Sequence, residues 1–224
     1  MTLRRMAVIF DMDGVLVDTY RAHFQSWNIV AGEEGAAMSE EQFAATFGRT
    51  SREIIALLWP ELGDDAAAIQ RFDDRKEDAF RRIIAENFPA MPGVERLLEG
   101  LAAAGIPTAI GSSGPPANVA LVAERLGAKH PFSAVVTAGD VTRGKPDPEV
   151  FLLAAERLGL APERCIVVED APPGIAAARA AGMRCVGMAS TGRTREELSD
   201  ADLVVDSLDE LGPEVFRGLL ERAG

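Results

Sequence analysis

Met6-Ala7-Val8-Ile9-Phe10 runs directly into Asp11-Met12-Asp13-Gly14-Val15-Leu16-Val17-Asp18-Thr19, and this junction decides the fold. Five apolar residues, two of them β-branched, read as a buried strand of a parallel sheet. Open α/β sheets collect ligands and catalytic groups at the carboxyl ends of such strands. Here that end carries two carboxylates separated by one residue, then a glycine that permits a sharp turn. Like charges this close repel unless a cation or a proton comes between them, so the pair predicts a bound metal or a raised pKa. Taken alone, the same residues also suit an acidic turn capping a strand.

Three further segments carry polar groups at the ends of apolar runs. Ile106-Pro107-Thr108-Ala109-Ile110-Gly111 leads into Ser112-Ser113-Gly114-Pro115. Gly144-Lys145-Pro146-Asp147-Pro148 follows, and Cys165-Ile166-Val167-Val168 leads into Glu169-Asp170-Ala171-Pro172-Pro173-Gly174. From Val94 onward, helical and strand patterns alternate. Helices are expected over 94–104, 117–126, 148–158 and 174–181, each followed by a strand, over 106–110, 134–137, 165–168 and 185–188. A short strand over 203–205 and a helix over 208–222 close the chain. Repeated units of this size predict an α/β fold, a doubly wound parallel sheet with right-handed crossovers.

Residues 18–90 break this rhythm. Tyr20 to Ala31 is amphipathic, and Ser39-Glu40-Glu41-Gln42 and Thr50-Ser51-Arg52-Glu53 each have the form of a capping box. Asp65 to Asn87 reads as a long solvated helix with one packed stripe. Phe88-Pro89-Ala90-Met91-Pro92-Gly93 ends it, because each proline lacks a donor and disfavours helix before it. The expected organisation is a Rossmann-like core (1–17 and 91–224) with an inserted helical cap (18–90), joined at Val17–Thr19 and Pro89–Gly93.

Composition narrows the partners. The 224 residues carry 35 acidic against 23 basic side chains, a net charge of −12. Duplex nucleic-acid binders need a basic footprint, so no nucleic acid is expected. No apolar run approaches the ~18 residues of a membrane span. The two cysteines, Cys165 and Cys185, fall in expected core strands and read as small buried hydrophobes without metal spacing. The first residues lack the apolar stretch of a signal peptide. Together these features predict a cytoplasmic protein, a monomer or weak dimer, with no membrane partner.

The ordered set of four motifs resembles the haloacid dehalogenase-like hydrolases, and the resemblance spans nearly the whole chain. It rests on Asp11 and Asp13, Ser112, Lys145, and Glu169 with Asp170. It implies that Asp11 is a nucleophile forming an aspartyl-phosphate, chemistry open to a carboxylate. Mg²⁺ would be held by Asp11, Asp170 and the backbone carbonyl of Asp13, with Glu169 binding directly or through water. Asp13 would act as general acid and then as base. Ser112 and the N–H groups of its loop, including Ser113, would hold phosphoryl oxygens ahead of a helix amino terminus. Lys145 would supply a fixed positive charge.

The cap carries the question of specificity. His23 and Trp27, four apart on one helical face, are similar to the start of the cap in beta-phosphoglucomutases. Arg49, Arg52 and Lys76 are the cap cations expected to reach a substrate, with Arg52 matching the arginine that holds a second phosphate in those enzymes; a solvated surface position is the alternative for each. One departure stands out. The loop Ser113-Gly114-Pro115-Pro116-Ala117-Asn118 contains no basic residue, whereas such mutases grip their non-transferring phosphate there. The expectation is a Mg²⁺-dependent phosphatase acting on a small phosphorylated metabolite, a sugar phosphate, with a beta-phosphoglucomutase as the alternative.

Overall fold

A computed structural model of the chain describes residues 5–46, 51–60, 65–189 and 192–221, with only the backbone of residues 51 and 52. The chain divides into two compact units, Met1–Asp18 with Pro89–Gly224, and Thr19–Phe88.

The first unit is built on six parallel strands: β1 (Ala7–Phe10), β2 (Thr108–Gly111), β3 (Ala134–Val136), β4 (Cys165–Glu169), β5 (Arg184–Met188) and β6 (Leu203–Val205). Their order across the sheet is β3-β2-β1-β4-β5-β6. The chain therefore winds outward from β1 through β2 to β3, then returns to the other side of β1 with β4. The reversal leaves a crevice at the carboxyl end of β1, the place where such sheets bind ligands. Register aligns the site: Phe10 pairs with Ile110 on one side and with Val168 on the other. Asp11, Gly111 and Glu169 thus leave the sheet at one level.

Helices α5 (Val94–Ala103), α6 (Pro116–Gly127), α7 (Glu149–Leu158), α8 (Pro172–Ala180) and α9 (Pro213–Glu221) belong to this unit. β1, β2 and β4 are buried along their whole length, as expected of strands covered on both faces. Cys165 and Cys185 are free and buried in the core.

Some boundaries differ from the sequence expectation for local reasons. β2 begins at Thr108, since Pro107 has no N–H to donate and offers only its carbonyl, to Val8 N at 3.1 Å. α8 begins at Pro172, two residues earlier than expected, because proline suits a first helical turn whose N–H groups lack helical partners. The closing helix over 208–222 is instead two pieces. Ser207 caps a 3₁₀ turn at Leu208–Glu210, and α9 starts afresh at Pro213, where proline again takes the first turn.

The second unit contains α1 (Tyr20–Glu33), α2 (Glu40–Thr46), α3 (Ser51–Leu58) and α4 (Ala66–Glu86). The box at Ser39 forms: Gln42 N donates to Ser39 Oγ at 3.1 Å, and Ser39 N donates to Gln42 Oε1 at 2.8 Å. The second box begins on Thr50, outside the described residues. Asp65 caps α4 by accepting from Ala67 N and Ala68 N. An aromatic core holds the unit together: Trp27 stacks on Trp59 with centroids 5.9 Å apart, and Phe72 lies 4.9 Å from Trp59.

Candidate active site

Asp11 follows β1 directly and is buried, its N–H donating to Val168 O at 2.9 Å. The strand thereby fixes the backbone that carries the carboxylate. The next residues turn back at once: Leu16 N and Val17 N both donate to Met12 O, and Gly14 N donates to Val17 O. Gly14 takes φ +76°, a left-handed conformation that a residue with a Cβ adopts at a cost. That turn holds Asp13 beside the strand end, half-buried.

Lys145 comes from the loop between β3 and α7. Its Nζ donates to Asp11 Oδ1 at 2.5 Å and to Glu169 Oε1 at 2.7 Å, and its side chain is only 9% exposed. The ammonium also lies 4.8 Å from the centre of the Phe151 ring on α7. Glu169, the last residue of β4, accepts from Ala171 N through its other oxygen at 2.9 Å. Its carboxylate occupies the start of α8 so closely that a Cβ on Gly174 would lie 1.7 Å from Oε1. Asp170, next in the chain, is buried as well.

Ser112 follows β2, is 1% exposed, and is pinned by its N–H to Val136 O at 3.0 Å. Its Oγ accepts from Gly114 N at 2.9 Å, so the hydroxyl shapes its own loop. Ser113 is exposed. The loop delivers the chain to α6, whose first residue is Pro116.

Charge is unbalanced here. Four carboxylates (Asp11, Asp13, Glu169, Asp170) face the single ammonium of Lys145 among the described side chains. Burial pushes Asp11 up to about 7, reinforced by Glu169 and Asp13 and opposed by Lys145. Burial likewise pushes Asp170 up to about 8, with Glu169, Asp11 and Asp13 adding to the rise. Burial alone would lower Lys145, but Asp11 and Glu169 outweigh it and hold the ammonium above its ordinary range. Carboxylate oxygens of Asp11, Glu169 and Asp170 lie within 4.8 Å of one another. An all-oxygen set with excess negative charge suits a hard divalent cation.

In the second unit, Lys76 is 3% exposed, so the solvated position weighed for it does not apply. Its Nζ lies 3.0 Å from His23 Nδ1 and 2.7 Å from Glu77 Oε1, and 5.3 Å from the centre of the Trp27 ring. His23 stacks on Phe80 with centroids 4.2 Å apart. The packed stripe of the otherwise solvated α4 includes this ion pair, which aromatic rings shelter. Arg49 lies outside the described residues, as does the side chain of Arg52. Sequence reasoning missed Glu77, Gly174 and Phe151. Phe151 follows the helical apolar spacing of α7, and nothing in that spacing distinguishes a ring beneath a lysine from an ordinary core residue.

The chain is similar to known proteins in sequence and in fold. Residues 6–182 match the family model for haloacid dehalogenase-like hydrolases. Hexitol phosphatase A of Escherichia coli is 36% identical over 93% of this chain and 94% of its own. Beta-phosphoglucomutase of Bacillus subtilis is 32% identical over 94% of this chain and 93% of its own. A crystal structure of beta-phosphoglucomutase from Clostridium difficile superposes with a TM-score of 0.81, covering 98% of each chain at 29% identity. The chain belongs to the haloacid dehalogenase-like hydrolases. No described helix is long and apolar enough to cross a membrane.

Proposed function

We propose that this haloacid dehalogenase-like hydrolase is a Mg²⁺-dependent phosphatase that cleaves a small phosphorylated carbohydrate through a phosphoryl group carried on Asp11. The observation that carries the reading is the end of β1: a buried Asp11 paired with Lys145, with Glu169 and Asp170 close enough to share a cation. A carboxylate attacking a phosphate monoester brings anion to anion, so positioning and charge compensation dominate the barrier. Lys145 offsets charge at Asp11 as the phosphoryl group arrives. Asp13, held by the Gly14 turn, protonates the leaving oxygen and later takes a proton from the water that frees Asp11. Ser112 and the N–H groups after it hold phosphoryl oxygens. Asp11, Asp170 and the carbonyl of Asp13, with Glu169 alongside, would hold Mg²⁺, which would supply the remaining charge neutralisation.

Sugar-phosphate substrates are supported by the names of the relatives, among them a phosphorylated carbohydrates phosphatase of Thermotoga maritima. Arg49, Arg52, His23, Lys76 and Ser113 are the groups we assign to substrate recognition, with Lys76 acting through its cluster with His23 and Glu77. The test is phosphate release across a panel of phosphorylated sugars and sugar alcohols. We expect saturable turnover on several of them, and none on any would refute the proposal.

A mutase reading is favoured by the likeness to beta-phosphoglucomutases. It is disfavoured by the absence of a basic residue from Ser113 to Asn118. A mutase must retain its bisphosphate intermediate while water is excluded, and each tenfold in that competition is only ~1.4 kcal/mol, about one charge-assisted contact. Supplying β-glucose 1-phosphate with a trace of the 1,6-bisphosphate separates the two. Phosphate release should outpace isomerisation; glucose 6-phosphate appearing far faster would make the chain a mutase.

A further inference from the structure

We infer that Phe151 is a positioning residue for Lys145: its ring forms a floor that holds the ammonium between Asp11 and Glu169. The inference rests on the phosphatase reading for its kinetic consequence and on the packing for its geometry. Lys145 reaches the site on a long, flexible side chain from a loop, and four rotatable bonds would let the ammonium wander. Three contacts restrain it: Asp11 at 2.5 Å, Glu169 at 2.7 Å, and the Phe151 ring centre at 4.8 Å. The two carboxylates pull the ammonium toward their own oxygens, while the aromatic face beneath it attracts it through its quadrupole.

The surroundings keep that ring in place. Phe151 is fully buried in the core of the first unit, among residues of β1, β2 and β4. It packs against β2 at Gly111, where an added Cβ would lie 3.0 Å from Phe151 Cδ1 and 3.2 Å from Ile9 Cγ2. A side chain at Gly111 would therefore press on the ring. Phe151 thus touches both Gly111 of the strand and the Lys145 ammonium that pairs with Asp11. The sequence links the last two, since Lys145 and Phe151 are separated by Pro146-Asp147-Pro148-Glu149-Val150. Phe151 N donates to Pro148 O at 3.0 Å as α7 begins, which ties the ring to the end of the lysine loop.

The test replaces Phe151, in the full chain, with phenylalanines bearing one, two, three and five ring fluorines. Fluorination drains the negative face of the ring while nearly preserving its shape, so volume and charge attraction are separated. On a sugar phosphate that the wild type hydrolyses, kcat should fall stepwise with fluorine number, about tenfold in total. KM and the melting temperature should stay nearly constant. Phe151→Leu should lose more, and its loss in kcat should exceed its loss in stability. A kcat that is flat across the series would overturn the inference and leave Phe151 as volume alone. A second readout does not need turnover: the ¹⁹F signal of 4-fluorophenylalanine at 151 should shift on Lys145→Met, and an unmoved signal would also count against the contact. A protein that hydrolyses no phosphate ester would refute the phosphatase reading, while the ¹⁹F result would still decide whether the ring holds the lysine.

Discussion

Asp11 and Asp13, identical side chains two residues apart, sit in different surroundings, and the proposed mechanism gives them different work. Asp11 is fixed by β1 and gripped by Lys145, whereas Asp13 is half-buried on a turn. Asp11→Asn should abolish phosphate release while leaving the circular dichroism spectrum and melting temperature close to wild type. Asp13→Asn should slow turnover by about 10²–10⁴-fold on esters with poor leaving groups and much less on activated aryl phosphates, which need no proton. Equal losses on both classes would argue against the acid role. Asp170 yields a prediction about stability. Its folded pKa of about 8 lies above its ordinary 3.8, so the fold favours the protonated form. Stability from that preference is fully present below about pH 4 and is lost as pH rises through about 8. In metal-free protein, Asp170→Asn should therefore melt a few degrees above wild type at pH 8 and gain little at pH 4, each kcal/mol being worth about 2–4 °C in a chain of this size. Thermal melts across that range check it, and a deficit at pH 8 would contradict it. Asp11, Ser112 and the Glu169-Asp170 pair stand out in the sequence because each stands where an apolar run stops, whereas Lys145 lies well past β3 and is marked by its Gly-Lys-Pro-Asp-Pro loop. Phe151 and Glu77 do not stand out, because their roles depend on what lies opposite in space.

At the scale of elements, strand ends and helix starts together make the site. The order of β1, β2 and β4 brings Asp11, Ser112 and Glu169 to one edge, and three loops complete it. Most elements were legible from periodicity and capping; strand ends differ by a residue, and the larger shifts fall where proline decides a boundary. Pro107 delays β2, Pro172 advances α8, and Pro213 restarts the last helix after a 3₁₀ turn. Glycines set closer limits. Gly174 leaves space for the Glu169 carboxylate, which both Lys145 and Ala171 N hold in place. Gly174→Ala, ordinarily a mild or stabilising change inside a helix, should here cost about 1–3 kcal/mol, the usual range for overpacking, and weaken Mg²⁺ activation. Denaturant melts and a Mg²⁺ titration of activity would show this, and unchanged values in both would mean that Glu169 moves aside freely.

For the whole molecule, the proposed function divides the work between the two units, chemistry in the first and recognition in the second. The sequence pattern marked residues 18–90 as an insertion because strand periodicity stops there. It could not show that Lys76 would be sheltered by Trp27, Phe80 and His23, because a charged helix reads as solvated until its aromatic neighbours are known. Removing Lys76 would break its 2.7 Å pair with the buried Glu77 and take the ammonium away from the Trp27 and Phe80 rings, which destabilises the unit. Lys76→Ala should therefore lower the melting temperature as well as change which sugar phosphates are preferred, whereas Arg52→Ala should change that preference alone and spare small activated esters. Thermal melts and a substrate panel separate the two outcomes. Chelation should silence turnover on every substrate and Mg²⁺ should restore it. The most direct test of the account is to quench the enzyme during turnover of a sugar phosphate, reduce the acyl phosphate with borohydride, and map the modified peptide by mass spectrometry. The account predicts reduction at Asp11 alone, lost in Asp11→Asn; phosphate release with no modified aspartate, or with modification at another residue, would contradict it.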